Sequence, residues 1–214
     1  MPSFATLATD PAARLDALAL ALAAEFRPVD VDAALARLDE LGVEVRDVAA
    51  STGGELAALC FVLGERHAFS GAEQEYDHPD HSMLDLVLER HRGLPIALSV
   101  VYVETARRAG IALDGVGLSG HYVVGQLRTG AAPILLDPFA GGRLTVAPNP
   151  AEVRPWAPHE TALRMLNNLV GSYTRRNDLG RAIRAAEMRL ELSLEPDLRE
   201  ALAAELRGLR ARLN

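Results

Sequence analysis

The chain has 214 residues, with 29 acidic residues against 22 basic ones, all of them Arg, and a formal net charge of −7 at pH 7. This length suits one domain, or one domain with a helical appendage, and a core stable without the internal disulfide that a single cysteine excludes. The acidic balance argues against sequence-independent nucleic-acid binding, and the lack of any basic leader or run of about 18 uncharged apolar residues predicts no signal peptide and no membrane span, hence a cytoplasmic setting.

The first third reads as helical. Leu15, Leu18, Ala19 and Leu22 recur at three and four between Asp10 and Glu25, and Pro28 stops the segment. A second helix is expected to open at Asp30 as N-cap and to end at Gly42, with Ala33, Leu35, Leu38 and Leu41 inward. A loop rich in Ser, Thr and Gly then leads into a helix over 55–65. From Phe69 to Ser82 the sequence FSGAEQEYDHPDHS is polar and irregular, long enough for a binding loop. Ser82 is expected to cap a helix over 83–91.

The clearest helix signals follow in RGLPIALSVVYVETARRAGI. Pro95 suits a first turn, Ala97, Val100, Val101, Glu104 and Arg108 keep helical spacing, and Gly110 fits the stop. The period then changes. LDGVGL, HYVVGQL and PILLDPF are short apolar or alternating runs separated by turn residues, which predicts an antiparallel meander of about three strands. Helical period returns from His159, is broken around Asn177, Asp178 and Gly180, and restarts at Pro196, giving a helical hairpin with an extra helix.

The stretch from His81 to Gly142, with HSMLDLVLERHRGLPIALSVVYVETARRAGI, GHYVV and LLDPFAGG, resembles the SirB-type branch of the transglutaminase-like superfamily. ALRMLNNLVGSYTRRNDLGRAIRAAEMRL is similar to the tetratricopeptide-type hairpin that follows this core in many members. The resemblance implies a papain-like order, a central helix followed by a sheet bearing His and Asp, and places His121 and Asp137 at two of the three triad positions. The third position has no thiol: after Gly93 the chain reads Leu94, Pro95, Ile96, Ala97, Leu98, Ser99. The branch itself lacks that cysteine in general. This chain also departs from the branch at His81-Ser82, where Asn-Ser is usual, at Leu118-Ser119-Gly120-His121-Tyr122, where Leu-Pro-Gly-His-Phe is usual, and near Gly125, where a basic residue is usual.

His121 and Asp137 should lie on neighbouring strands, close enough for the carboxylate to fix the imidazole tautomer. The plainer reading is a hydrogen bond retained in an inherited scaffold. Cys60 shares a helical face with Leu56 and Leu63 and reads as core, since a free cysteine packs as a small hydrophobe. Ser99, one turn into the central helix, is the outside candidate for a nucleophile, and Ser119 is the other hydroxyl nearby. Neither sits in a Gly-x-Ser-x-Gly elbow, so a structural role is the better expectation for both. Glu75, Asp77, His78, Asp80 and His81 crowd one loop, and His78 and His81 are the candidate ligands for a divalent metal, with His121 completing a set if the loop folds over the core. A solvated polar loop is the competing and better-supported reading. Tyr173, Arg175, Arg176, Arg181 and Arg184 surround the turn of the C-terminal hairpin, whose apolar side must pack on the core or a partner.

The expected architecture is therefore α+β: an N-terminal helical layer over 1–68, a papain/transglutaminase-like core of a central helix on a short antiparallel sheet over 69–157, and a tetratricopeptide-like helical tail over 158–214. The expected function is a transglutaminase-like domain without the catalytic cysteine, binding a protein or peptide-like ligand as an accessory or regulatory module, with no cofactor. The alternative is a hydrolase or amide-forming acyltransferase with His121 as general base, metal-assisted in one variant.

Overall fold

The computed structural model describes residues 1–212; the last two residues of the expected tail lie outside it. Helix α1 (Phe4–Ala8) is capped by the Ser3 hydroxyl, and α2 (Leu15–Ala24) follows after a turn. Almost every side chain of α2 is buried, including Asp16, the one charged residue in LDALALALAA. Helix α3 (Val31–Thr52) is capped by the Asp30 carboxylate, as its sequence signals predict, but it runs through Gly42 and ends at the left-handed Gly53. Gly42 is there for close approach: a methyl group on it would stand 2.5 Å from the Arg108 side chain. Helix α4 (Glu55–Cys60) continues as a π-helical turn, Phe61–Arg66, which brings Gly64 against the backbone of Gly141.

Two short parallel strands, β1 (Ser70–Gly71) and β2 (Arg92–Gly93), bracket the polar loop. A 3₁₀ turn (Pro79–Ser82) then leads to α5 (Leu84–Arg90), whose N-cap position is Met83 and not the expected Ser82. Ser82 is instead buried within the 3₁₀ turn. The central helix α6 (Pro95–Ala109) begins with Pro95 in its first turn and stops at Gly110 in the left-handed conformation, as read from sequence. It is buried nearly throughout.

The sheet is an antiparallel meander of four strands in sequential order, β3 (Asp114–Leu118), β4 (His121–Gln126), β5 (Ile134–Asp137) and β6 (Arg143–Thr145). The sequence predicted about three. β6 carries no alternating apolar signal, and its Leu144 is 77 % exposed although it pairs with the buried Leu136.

Helices α7 (Pro158–Arg175), α8 (Leu179–Glu191) and α9 (Pro196–Ala211) form the tail. The hairpin's apolar side packs inward. Met165, Leu166, Leu169, Ala185 and Met188 join Leu18, Leu59, Val100 and Val124 in one buried cluster. Gly208, exposed within α9, has nothing within 4 Å of where a methyl group would sit. Gly208→Ala is therefore expected to stabilise the chain by about 0.5–1 kcal/mol through reduced backbone entropy, read as a higher urea midpoint with unchanged slope.

Candidate functional site

The antiparallel register brings the two predicted residues together. His121 opens β4 and Asp137 closes β5, and His121 Nε2 lies 3.0 Å from Asp137 Oδ2. The second oxygen of Asp137 accepts the Phe139 backbone N–H at 2.9 Å, so the carboxylate is held on both sides by the start of the 3₁₀ turn Pro138–Ala140. Burial pushes the Asp137 carboxyl up, but the hydrogen bond from His121 and the backbone N–H groups of Phe139 and Ala140 outweigh it and hold it below the ordinary range. An ionised carboxylate on Nε2 fixes the proton there and leaves Nδ1 with its lone pair outward. The His121 side chain is 34 % exposed, so the ring is not sealed in the core.

The surroundings come from three further elements. The Phe139 ring meets the His121 ring edge-on at 6.4 Å, and Tyr76 from the polar loop packs on the other side of Phe139 at 6.0 Å. Phe139 fits only because Gly71 has no side chain; a methyl group there would lie 2.3 Å from the ring. From α7, Arg164 Nη2 donates to the carbonyls of Leu118, 3.2 Å, and His121, 3.1 Å, pinning both ends of the β3–β4 turn. The Arg164 guanidinium also lies over the rings of Tyr122 and Trp156, 5.9 and 5.7 Å from their centroids. Nothing in the local sequence singles out Arg164, whose acceptors are backbone carbonyls more than forty residues away.

Neither hydroxyl candidate is placed to serve His121 as a nucleophile. Ser99 is fully buried on α6, and its Oγ has no partner among the described residues. Ser119 is exposed in the turn and donates to the Glu152 carboxylate from both its N–H, at 2.6 Å, and its hydroxyl, at 3.0 Å. Cys60, the one cysteine of the chain, packs against the main core and donates its thiol to the Gly142 carbonyl at 3.1 Å. Burial, with a smaller contribution from Glu65, pushes this thiol up to about 11, far from the thiolate that nucleophilic chemistry needs.

His78 and His81, the candidate metal ligands, sit close together in the 3₁₀ turn and the residue before it. Their rings stand edge to face at 5.9 Å, and His78 Nδ1 accepts the Asp80 N–H at 3.3 Å. Among the described residues no three His, Cys, Asp or Glu side chains are grouped to hold an ion. His78 instead lines a cavity of about 330 Å³ with Tyr173, Arg176, Asp178 and Arg181 of the hairpin. Asp77 is taken by Arg175, with both guanidinium contacts at 2.7 Å. The loop is thus tied to the tail.

With this geometry in place, the family model described as transglutaminase-like superfamily matches residues 32–184, from the long α3 through the sheet to the hairpin. The chain belongs to the transglutaminase-like superfamily. It is similar to a UPF0162 protein of Xylella fastidiosa strain 9a5c, 38 % identical over 167 residues that cover 69 % of this chain and 58 % of that protein. A UPF0162 protein of Pseudomonas aeruginosa is 39 % identical over 144 residues, 64 % of this chain and 51 % of that protein. F-box only protein 21 of Homo sapiens is 31 % identical over 84 residues, 39 % of this chain and 13 % of that protein. The chain thus spans little more than half the length of the UPF0162 relatives named here. No solved structure matches. Among the described residues, no helix is long and apolar enough to cross a membrane.

Proposed function

We propose that this chain is a member of the SirB-type branch whose site binds a protein or peptide-like ligand at the His121–Asp137 pair, without covalent thiol chemistry. The helical tail is read as tetratricopeptide-like, and the module as accessory or regulatory. One observation carries this: an oriented imidazole is presented at the surface, while Cys60 is bonded to a carbonyl and Ser99 is fully buried. A net charge of −7 favours a polypeptide over nucleic acid as the partner.

The test is selection of binding peptides from a random display panel on the wild-type chain, followed by titration of the selected peptide against His121→Ala and Asp137→Asn. Both variants are expected to weaken binding by roughly tenfold or more, about 1.4 kcal/mol, while alkylation of Cys60 changes nothing. Undiminished binding in His121→Ala removes the site from this reading.

The outward Nδ1 lone pair favours one second reading. An imidazole oriented by a carboxylate is a general base toward bound water or an incoming amine, as in a hydrolase or amide-forming acyltransferase. That reading predicts turnover of a selected peptide or its ester that survives thiol alkylation and disappears in both variants.

A further inference from the structure

We infer that Arg164 is the anion receptor of this site and that the ligand carries a carboxylate beside the group it presents to His121. The inference rests on the binding reading above and adds the chemical class of the ligand.

A guanidinium has five N–H donors. In Arg164 the Nη2 group is spent on the carbonyls of Leu118 and His121, which fixes the plane of the fork next to the imidazole's own backbone. The donors on Nε and Nη1 have no acceptor among the described residues, and neither atom is buried without a partner, so both face solvent. No carboxylate lies within ion-pair distance of Arg164 among the described residues. By contrast Arg154, Arg175 and Arg184 are each matched to Glu160, Asp77 and Glu25. Glu152, which feels the Arg164 charge, has its oxygens taken up by Ser119 and Asn149. Asp137 is likewise committed to His121 and the Phe139 N–H.

The Tyr122 and Trp156 rings lie against the guanidinium, so it loses little freedom on meeting a carboxylate, which its free Nε–H and Nη1–H donors can engage through single charge-assisted hydrogen bonds. Tyr76, 46 % exposed, packed on Phe139 and close enough to Arg164 to feel its charge, offers an aromatic wall to the ligand's chain. The resulting surface is a cation, an imidazole and one exposed aromatic ring, Tyr76. That combination suits an acidic peptide, either through its C-terminus or through an Asp or Glu side chain.

Three tripeptides separate these sources: acetyl-Ala-Ala-Ala with a free carboxyl terminus, the same peptide as its amide, and acetyl-Ala-Glu-Ala-amide. Each is titrated into the 214-residue chain while the His121 ring resonances are followed by NMR. At least one carboxylate peptide is expected to bind tenfold or more tighter than the neutral amide. That ratio should fall to within twofold in Arg164→Gln and lie between in Arg164→Lys, which keeps the charge and loses the guanidinium's separate Nε–H and Nη1–H donors. The ratio is the deciding readout, because a merely structural Arg164 would weaken all three peptides together. Equal binding of the three by the wild-type chain, no binding of any at millimolar concentration, or an undiminished ratio in both variants overturns the inference. If the neutral amide binds in a His121-dependent way with no gain from a carboxylate, the peptide-binding reading stands and Arg164 is only a turn clamp. If the carboxylate ratio survives His121→Ala, Arg164 is a receptor and the dyad is not part of its site.

Discussion

Asp16→Ala is expected to destabilise the chain by about 3 kcal/mol, the lower end of the cost of breaking a buried ion pair, because Arg108 keeps Glu104 and Asp39. Asp16 is fully buried on α2, and its Oδ2 lies 2.7 Å from Arg108 Nη2 and 2.5 Å from Arg14 Nη2. Arg108, also buried, reaches Glu104 at 2.7 Å and Asp39 at 2.5 Å, so one guanidinium joins α2, α3 and α6. Glu104 in turn accepts the Asp16 backbone N–H at 3.3 Å. Removing Asp16 leaves Arg108 with less compensating charge and opens space between α2 and α6. Burial alone would push the Asp16 carboxyl up, but the hydrogen bonds from Arg14 and Arg108 overcome it and set its pKa at about 2, from an ordinary 3.8.

The sign of the pH dependence follows. The folded chain binds this proton less readily than the unfolded chain, so the stabilisation is complete above the unfolded value and is lost as pH falls from about 4 through about 2. Urea unfolding of wild type and Asp16→Ala should therefore show a gap that is widest at neutral pH and narrows by roughly 2 kcal/mol toward pH 2. A gap that stays constant across that range would mean the network does not act through the ionised carboxylate.

Gly64→Ala is the second large effect. The added methyl group would stand 2.0 Å from the Gly141 carbonyl oxygen and 2.8 Å from its carbon, so the obstacle is backbone and cannot rotate away. Overpacking of this kind costs about 1–3 kcal/mol and more when the neighbour is main chain; here we expect the upper end or beyond. The damage should not stay local. The Gly142 N–H donates to the Asp137 carbonyl at 2.8 Å and the Gly142 carbonyl receives the Cys60 thiol, so prying the two segments apart disturbs the turn that holds Asp137. The expected result is a lowered unfolding midpoint together with shifted His121 ring resonances, measured by denaturant titration and NMR on one sample. A lowered midpoint with an unaltered His121 environment would show that the π-helical turn and the dyad are independent.

The frame of the site was legible in the sequence for identifiable reasons. Asp30, Pro95 and Gly110 act through their own backbone neighbourhood, so local reading finds them. The meeting of His121 and Asp137 followed from a meander of consecutive strands, in which neighbours in sequence are neighbours in space. Gly42 was misread because a glycine needed for packing and a glycine needed for a helix stop look identical in one dimension. β6 escaped because three residues, two of them exposed and none buried, carry no period. Arg164 looks like any solvated helix charge until its distant carbonyl partners are seen. Asp16 did leave a trace: a lone carboxylate in a helix apolar on every side implies a buried partner, although not which one.

The anchoring of β4 on α7 has a mechanical consequence. The Tyr122 hydroxyl donates to Thr161 Oγ1 at 2.7 Å, since the Thr161 proton is given to the Ala157 carbonyl, and Arg164 holds the carbonyl of His121. Two adjacent strand residues are thus fastened to a single turn of one helix, with no loop between helix and imidazole to absorb movement. The tail is therefore the lever arm of the dyad. A displacement of α7 is expected to move the His121 backbone with it, read as shifted His121 ring resonances in a chain truncated after the β-sheet.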